Sequence, residues 1–312
     1  MIFQSRLASC SVLLACAALL TGCGETTKQT TDAIPEATSL LGDPLYPLGG
    51  DTATHLANLA EAKAKFDAAP DSEEAAIWYG RRLGYLQRYT EAIQVYTDAL
   101  NKHPNSVKLL RHRGHRYVST RKFVNAIRDL TRAAELSDTI EDEIEPDGIP
   151  NARNEPRSTL KFNIWYHLGL AYFLNGEFGQ AYSAFGQCHG ISSLNPDMLC
   201  AATHWYYVAT QRIGLLEDAD LLLDGFDLTL DVIENQDYLD LILFYRGHYT
   251  AEAVLDVSDP GQHATRGFGV AHYWKVKGET DKANNLFLEI VDEGNWPSFG
   301  MIACEAELTR IE

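Results

Sequence analysis

Apolar residues recur at helical spacing along most of the chain, and short polar segments separate the apolar runs. The clearest pattern covers residues 73–187, where three helical pairs follow one another. In each pair, a glycine on the first helix precedes an alanine on the second by 12 positions, and a large apolar residue follows four positions later. The three sets are Gly80, Ala92 and Tyr96, then Gly114, Ala126 and Leu130, and finally Gly169, Ala181 and Phe185. Because small residues at a helix crossing allow close approach, the pattern predicts stacked antiparallel helix pairs.

Helical spacing continues on both sides of these pairs, although less regularly. In front of them, residues 56–68 predict the second helix of a half repeat. Behind them, we expect further helices at 200–212, 237–246, 250–256, 265–277 and 281–292. The predicted helical-repeat domain therefore occupies residues 51–312.

The last predicted helix, at residues 299–311, has one apolar stripe. The stripe consists of Phe299, Ile302, Ala303 and Ala306. Glu305, Glu307 and Arg310 lie off it. A single apolar face is typical of a C-terminal capping helix, which covers the last hydrophobic surface of a repeat array.

An acidic, proline-broken insert at residues 137–160 separates the second and third pairs. Glu143, Glu145 and Asp147 have the alternating spacing of a calcium-binding loop. However, Asn154 stands where an EF-hand loop has its bidentate glutamate. We therefore expect an acidic loop at one edge of the repeats, without a metal ion.

The helix pairs resemble the tetratricopeptide repeat (TPR), a helical pair of roughly 34 residues. Gly80 recurs 34 positions later as Gly114. Residues 165–172 read Trp-Tyr-His-Leu-Gly-Leu-Ala-Tyr and match the W-x-x-L-G-x-x-Y pattern of the first TPR helix. The resemblance covers most of residues 52–312 and implies an all-α, right-handed solenoid of stacked antiparallel helix pairs.

In TPR proteins the first helix of each pair lines a concave groove, so the resemblance implies a groove here. Its candidate residues are Arg81 and Tyr85 from the first pair, Lys108, Arg111 and His115 from the second, and Asn163, Tyr166 and Phe173 from the third. A cationic floor with aromatic walls suits a protein or peptide partner with an acidic segment or a C-terminal carboxylate. The alternative is that the acidic insert neutralises the basic second pair.

The amino terminus has the features of an export signal, because Arg6 precedes an apolar run at residues 7–20. This run is shorter than the about 20 residues that span a bilayer. The sequence Leu20-Thr21-Gly22-Cys23 resembles a bacterial lipobox. The resemblance implies a lipoprotein signal peptide at residues 1–22 and a lipid on Cys23, through which the protein is attached to a membrane.

Residues 23–50 are rich in Thr, Gly and Pro and predict a flexible tether between the lipid and the helical domain. A lipobox implies a place in the bacterial cell envelope. Gly24 after the cysteine favours the outer membrane, facing the periplasm, in a Gram-negative cell.

The chain has 26 basic and 43 acidic residues and a formal net charge of −17. This charge argues against a nucleic-acid partner, because binding to phosphates needs a cationic surface. The sequence has no catalytic or nucleotide-binding motif, and the cationic neighbours of His112 and His115 disfavour a metal ion. We therefore predict a non-catalytic scaffold with no cofactor and no metal, and we identify no small-molecule substrate.

The alternative function is a hydrolase-like envelope enzyme with an unrecognised site in the divergent C-terminal half. Aromatic residues and a histidine cluster there, at His204, Trp205, Tyr206 and Tyr207. Such clusters at helical spacing are more often packing. Cys188 and Cys200 either form a disulfide or occupy buried positions on adjacent helices.

Overall fold

The computed structural model describes residues 34–49, 52–193, 195–224, 226–227 and 229–311. These residues form one short antiparallel hairpin and fourteen α-helices. The strands are β1 (Ala37–Thr38) and β2 (Pro44–Leu45). The helices are α1 (Thr52–Ala68), α2 (Glu73–Tyr85), α3 (Tyr89–Lys102), α4 (Val107–Ser119), α5 (Phe123–Ser137), α6 (Leu160–Leu174), α7 (Phe178–Ile191), α8 (Pro196–Arg212), α9 (Leu216–Asp224), α10 (Gln236–Tyr245), α11 (Ala251–Leu255), α12 (Pro260–Val276), α13 (Thr280–Glu293) and α14 (Phe299–Leu308). The predicted fold class, an all-α stack of antiparallel helix pairs, is confirmed.

The two helices of each regular pair meet at the glycine and the large apolar residue that the sequence pattern singles out. A Cβ atom on Gly80 would overlap the ring of Tyr96. The other pairs repeat this contact, between Gly114 and Leu130 and between Gly169 and Phe185. The intervening alanines are fully buried, at Ala92, Ala126 and Ala181. Close helix approach at these positions is therefore the feature that sets the repeat.

A residue with left-handed backbone conformation lies in the turn between the two helices of each pair. Glycine takes this position after α6, α8, α10 and α12, at Gly176, Gly214, Gly247 and Gly278. After α2 and α4 the residues are Gln87 (φ 57°) and Arg121 (φ 60°), for which this conformation costs about 1–2 kcal/mol. Both side chains hold distant segments, because Gln87 accepts a hydrogen bond from the Leu48 amide and Arg121 binds Glu305.

The hairpin occupies part of the segment that the sequence predicted to be a flexible tether. The Leu40 amide donates a hydrogen bond to Glu305 at 3.0 Å. The indole of Trp296 donates to the carbonyl oxygen of Tyr46 at 2.7 Å. Residues 34–49 therefore differ from the prediction, because contacts with the far end of the chain order them.

The predicted signal peptide (residues 1–22), Cys23 and the first part of the predicted tether lie outside the described residues. Within the described part of the chain, no helix combines the length and the apolar character that crossing a membrane requires.

Helix α14 differs from the predicted capping helix because it is buried on more than one side. It begins at Ser298, whose hydroxyl caps the helix by accepting a hydrogen bond from the Met301 amide. One side packs against α12 and α13, as a cap would, but another side contacts α6. Glu305 and Glu307, which lie off the apolar stripe, have no exposed surface. The last helix thus bridges the final pair and the third pair.

Candidate functional site

The predicted groove residues lie on α2, α4 and α6, which are neighbours in the structure and form what we call the inner face. Four of them line one cavity between α2 and α4: Arg81, Tyr85, Arg111 and His115. Phe173 lies apart from these residues, fully buried, with its ring against Trp205 and Phe268. Phe173 is therefore part of the hydrophobic core and does not line the inner face.

The acidic insert between α5 and α6 lies along the inner face. Glu143 pairs with Lys108 at 2.7 Å, and Glu145 pairs with Arg111 at 2.7 Å. Asn163 donates a hydrogen bond to the same Glu145 carboxylate. The internal neutralisation that the sequence left open is therefore present in the structure.

Helix α14 covers another part of the inner face. The ring centroid of Phe299 lies 5.5 Å from that of His115 and 6.3 Å from that of Tyr166. His167 packs against the same phenylalanine at 5.6 Å. The Tyr166 hydroxyl also shares a hydrogen bond with that of Tyr238, at 2.8 Å. These side chains form a packed layer, and the layer is closed by a segment of the same chain.

Two carboxylates of α14 lie in a basic environment that sequence reasoning missed. Glu305 pairs with Arg121, and their side chains are 0% and 3% exposed. Glu307 binds Arg212 at 2.7 Å and Lys275 at 2.8 Å. Desolvation acts to raise the pKa of Glu307, but Arg212 and Lys275 outweigh it and lower the pKa to about 2. Arg310, three positions further along the chain, also binds Glu307 at 2.9 Å. The other basic partners come from α8, α12 and the α4–α5 turn, which no local sequence pattern relates to α14.

Two openings that share lining residues remain between α2, α4 and the insert. The outer one has a volume of about 420 Å³ and is lined by Trp78, Lys108 and residues of the insert. The inner one has a volume of about 120 Å³. Arg81 and His112 line both. Burial, and then the charge of nearby arginines, holds the pKa of His112 well below its usual range, so its ring is neutral at pH 7.

The aromatic cluster considered for an enzyme site is a packing element. His204 has no exposed surface, and its Nδ1 lies 3.2 Å from the hydroxyl of Tyr245. Trp205 stacks on Phe185 and Phe268 with centroid distances of 5.9 and 5.3 Å. Burial lowers the pKa of His204 to about 3, so the ring is neutral and has no contact with solvent. The cluster stabilises the core between α6, α8 and α12.

The thiols of the described region are free and buried, at Cys188, Cys200 and Cys304. The disulfide considered between Cys188 and Cys200 is therefore not formed. Burial raises the pKa of the Cys200 thiol to about 12, so it has no thiolate character at neutral pH.

One group of side chains in the described region has the spacing of a metal site, which the sequence did not indicate. His263 on α12 and Glu289 and Glu293 on α13 place ligand atoms within 4.8 Å of one another. His263 Nδ1 lies 2.9 Å from the Glu293 carboxylate. Both glutamates are exposed, and the contact with Glu293 alone accounts for the position of the histidine.

No protein-family model and no curated protein matches the sequence. Solved structures are similar to the fold at low sequence identity. YrrB, a TPR protein with an unusual peptide-binding site, is 14% identical and has a TM-score of 0.41, covering 79% of this chain and 97% of its own. A tetratricopeptide repeat protein from Parabacteroides merdae is 16% identical and has a TM-score of 0.47, covering 82% of this chain and 94% of its own.

Proposed function

We propose that this protein is a lipid-anchored, non-catalytic scaffold of the bacterial envelope that binds an acidic segment of a partner protein on its inner face. One observation supports the proposal: the inner face already binds carboxylates of the insert, through Lys108 and Arg111. Charge-assisted hydrogen bonds of this kind do not depend on whether the carboxylate belongs to the same chain. A partner's acidic segment therefore fits the same basic side chains.

The insert is the segment that a partner would displace. The Lys108 and Glu143 side chains are 47% and 48% exposed. Exposed ion pairs of this type contribute at most about 1 kcal/mol, because water screens them. The outer opening of about 420 Å³ lies beside this pair and is lined by Trp78. A partner's carboxylate can replace Glu143 at Lys108, and an apolar side chain beside it can contact Trp78.

Affinity capture from membranes with the full-length lipoprotein tests partner binding. We expect Lys108→Glu to lose captured partners and to lose binding of a synthetic acidic peptide, without a lower melting temperature. The matched control is Lys102→Glu, whose lysine is as exposed as Lys108 and pairs with Asp71 away from the inner face. Equal capture and equal peptide binding by the two variants would contradict the proposal.

The anchor is proposed from residues 20–23 and has a separate test. Mass spectrometry of the mature protein should show a chain that begins at an acylated Cys23. The variant Cys23→Ala should remain unprocessed. On membrane fractionation the wild-type protein should be enriched in the outer membrane, and this variant should not be. An intact, unmodified amino terminus would contradict the anchor and would leave the scaffold proposal standing.

A further inference from the structure

Three guanidinium groups surround the inner opening between α2 and α4. This cavity of about 120 Å³ is lined by Arg81, Arg111 and Arg116, together with His112 and His115. Gly84 of α2 also lines it, and a Cβ atom there would lie 3.1 Å from Nη1 of Arg116. A single water needs about 10–15 Å³ of such space, so the cavity has room for a larger group.

Only one of the three guanidinium groups around this cavity forms an ion pair among the residues that the structure describes. Arg111 pairs with Glu145 at 2.7 Å. Arg81 donates its hydrogen bonds to the carbonyl oxygen of Pro146 at 2.7 Å and to the hydroxyl of Tyr85 at 3.4 Å. Neither Arg81 nor Arg116 forms an ion pair with a carboxylate in the described region. Three guanidinium groups therefore meet one paired carboxylate, that of Glu145, and one unpaired carboxylate, that of Asp147, whose pKa burial raises and the charge of Arg81 acts to lower.

Arg116 is held in place by neutral groups. Its Nη2 lies 2.5 Å from Nε2 of His115, and its guanidinium lies 4.8 Å from the ring centroid of Tyr89. His112 likewise contacts Arg111, with Nδ1 lying 3.0 Å from Nη1. A histidine nitrogen that accepts from an arginine is unprotonated, so the two rings add hydrogen-bonding capacity without adding charge.

A buried donor in the same place has no acceptor. Arg111 is only 8% exposed, and its Nε has no hydrogen-bond partner among the described residues. Buried polar atoms are nearly always hydrogen-bonded in folded proteins, so this nitrogen can donate to an acceptor that binds beside Arg111, either a water or an anion. This observation is independent of the ion pairing around the cavity, and an anion would satisfy it.

We propose that the cavity binds a small divalent tetrahedral oxyanion, such as inorganic phosphate or the phosphate of a small molecule, between Arg81, Arg111 and Arg116. A phosphate group carries a charge of about −1.5 to −2 at neutral pH and so complements the guanidinium groups of Arg81 and Arg116, which form no ion pair among the described residues. Guanidinium groups bind the oxygens of phosphate through paired N–H donors. The outer opening provides the route of entry, because Arg81 and His112 line both openings.

The proposed phosphate site and the proposed partner site bind through different side chains, although Arg81 and His112 border both openings. The phosphate site uses the inner opening, whereas the partner is expected at Lys108 and Trp78 in the outer one. Phosphate binding without peptide binding, or peptide binding without phosphate binding, would therefore separate the two proposals.

Isothermal titration calorimetry of the full-length protein with sodium phosphate, at neutral pH and fixed ionic strength, tests the site. We expect saturable one-site binding, and Arg81→Gln should weaken it by about tenfold or more. The matched control is Arg82→Gln on the same helix, which does not line the inner opening and should bind as the wild type does. Arg81 is preferred to Arg111 as the test position because the Arg111–Glu145 pair is buried and its loss threatens folding.

Further ligands and a spectroscopic measurement complete the test. Sulfate should bind like phosphate, and acetate should bind at least about tenfold more weakly because it has one charge. Tighter binding of phenyl phosphate would assign the site to a phosphorylated small molecule, and tighter binding of phosphate would assign it to the free ion. In the wild-type protein, saturation should shift the NMR ring signals of His112 and His115. Absence of saturation at millimolar phosphate, equal binding of acetate, or unchanged binding by Arg81→Gln would each overturn the proposal.

Discussion

The acidic insert and α14 both place carboxylates among basic side chains of the helix pairs, but they do so in different surroundings. In the insert, Glu143 has 48% of its side chain exposed and its partner Lys108 has 47%. In α14, Glu307 has no exposed surface and its partner Arg212 is 17% exposed. The insert is therefore on the surface at Glu143 and buried only at Glu145, whereas the carboxylates of α14 belong to the core.

This difference decides how firmly each segment is held. An exposed ion pair contributes about 0–1 kcal/mol because water screens both charges. Removing one partner of a buried pair costs about 3–5 kcal/mol, since the other charge stays buried without a counter-charge. The part of the insert around Glu143 can therefore leave the inner face while the protein stays folded. The part around Glu145, which forms a buried pair with Arg111, and α14 cannot.

The largest expected effect comes from removing a buried carboxylate. Glu307→Ala leaves Arg212 and Lys275 without their shared partner, and we expect the free energy of unfolding to fall by about 3–5 kcal/mol. Glu143→Ala in the insert should lower it by at most about 1 kcal/mol. Chemical denaturation of both variants measures the difference, and equal losses would remove the distinction between the two segments.

The next largest expected effect tests how closely α14 packs against α12. A Cβ atom on Gly300 would overlap the carbonyl oxygen of Ala264 on α12. We expect Gly300→Ala to destabilise the protein by about 1–3 kcal/mol, because the two backbones must move apart. Gly190→Ala on α7 is the control, since nothing lies within 4 Å of its added Cβ and alanine favours a helix by up to about 1 kcal/mol. If Gly300→Ala left the free energy of unfolding unchanged, α14 would pack less closely than the structure indicates.

Mild acid is expected to lower the free energy of unfolding through His272, which interacts with Glu307 of α14. Burial lowers the pKa of His272 to about 3, with Glu307 opposing this shift and Arg212 and Lys275 adding to it. A histidine in the unfolded chain titrates near pH 6.5. Between these two values the unfolded state binds a proton that the folded state does not, so the free energy of unfolding falls as the pH falls. The expected slope is about 1.4 kcal/mol per pH unit for this histidine.

The variant His272→Leu tests this slope. Neither ring nitrogen of His272 has a hydrogen-bond partner among the described residues, so leucine should cost little at pH 7. Denaturation at several values between about pH 6.5 and pH 4.5 should show a slope reduced by about 1.4 kcal/mol per unit. An unchanged slope would mean that His272 is protonated in the folded protein. The remaining slope should include His204, whose pKa burial also lowers to about 3.

The smallest expected effect is that of Gln87→Gly, in one of the two turns within helix pairs that have a left-handed residue other than glycine. Gln87→Gly relieves a left-handed backbone and removes a hydrogen bond to the exposed Leu48 amide, so the net change should stay within about 1 kcal/mol. Arg121→Gly relieves the same backbone conformation but leaves Glu305 buried without its partner, and about 3 kcal/mol or more should be lost. Denaturation measures both changes, and a similar result for the two would show that Arg121 is not needed to hold α14.

The helix pairs were predictable because their signal is local. Gly80, Ala92 and Tyr96 lie within one pair and make the contacts that their spacing predicts. The sequence also suggested, as an alternative, that the acidic insert pairs with the basic second helix pair, because the two segments are neighbours in the sequence. Glu143 and Glu145 lie in the segment that directly follows the second pair, and they bind Lys108 and Arg111 of that pair.

The position of α14 could not be predicted from the sequence. Glu305 and Arg121 are 184 positions apart, and no periodicity relates them. A helix with one apolar stripe is expected to expose its charged residues, and only the basic side chains of other elements reverse this expectation. The hairpin could not be predicted from the sequence either, because the contacts that order it join residues 265 and 250 positions apart.

In an open repeat array each unit contacts only its neighbours, so the array can fray from either end and can be shortened one unit at a time. This protein does not have two independent ends, because α14 packs on the final pair while Glu305 reaches Arg121 in the second pair and Leu40 ahead of the first helix. Removing the last ten helical residues would therefore release both termini together and expose their buried charges. The chain should melt in one concerted transition, as a closed ring of contacts does, and a truncation series should show an abrupt loss of folding at its first step.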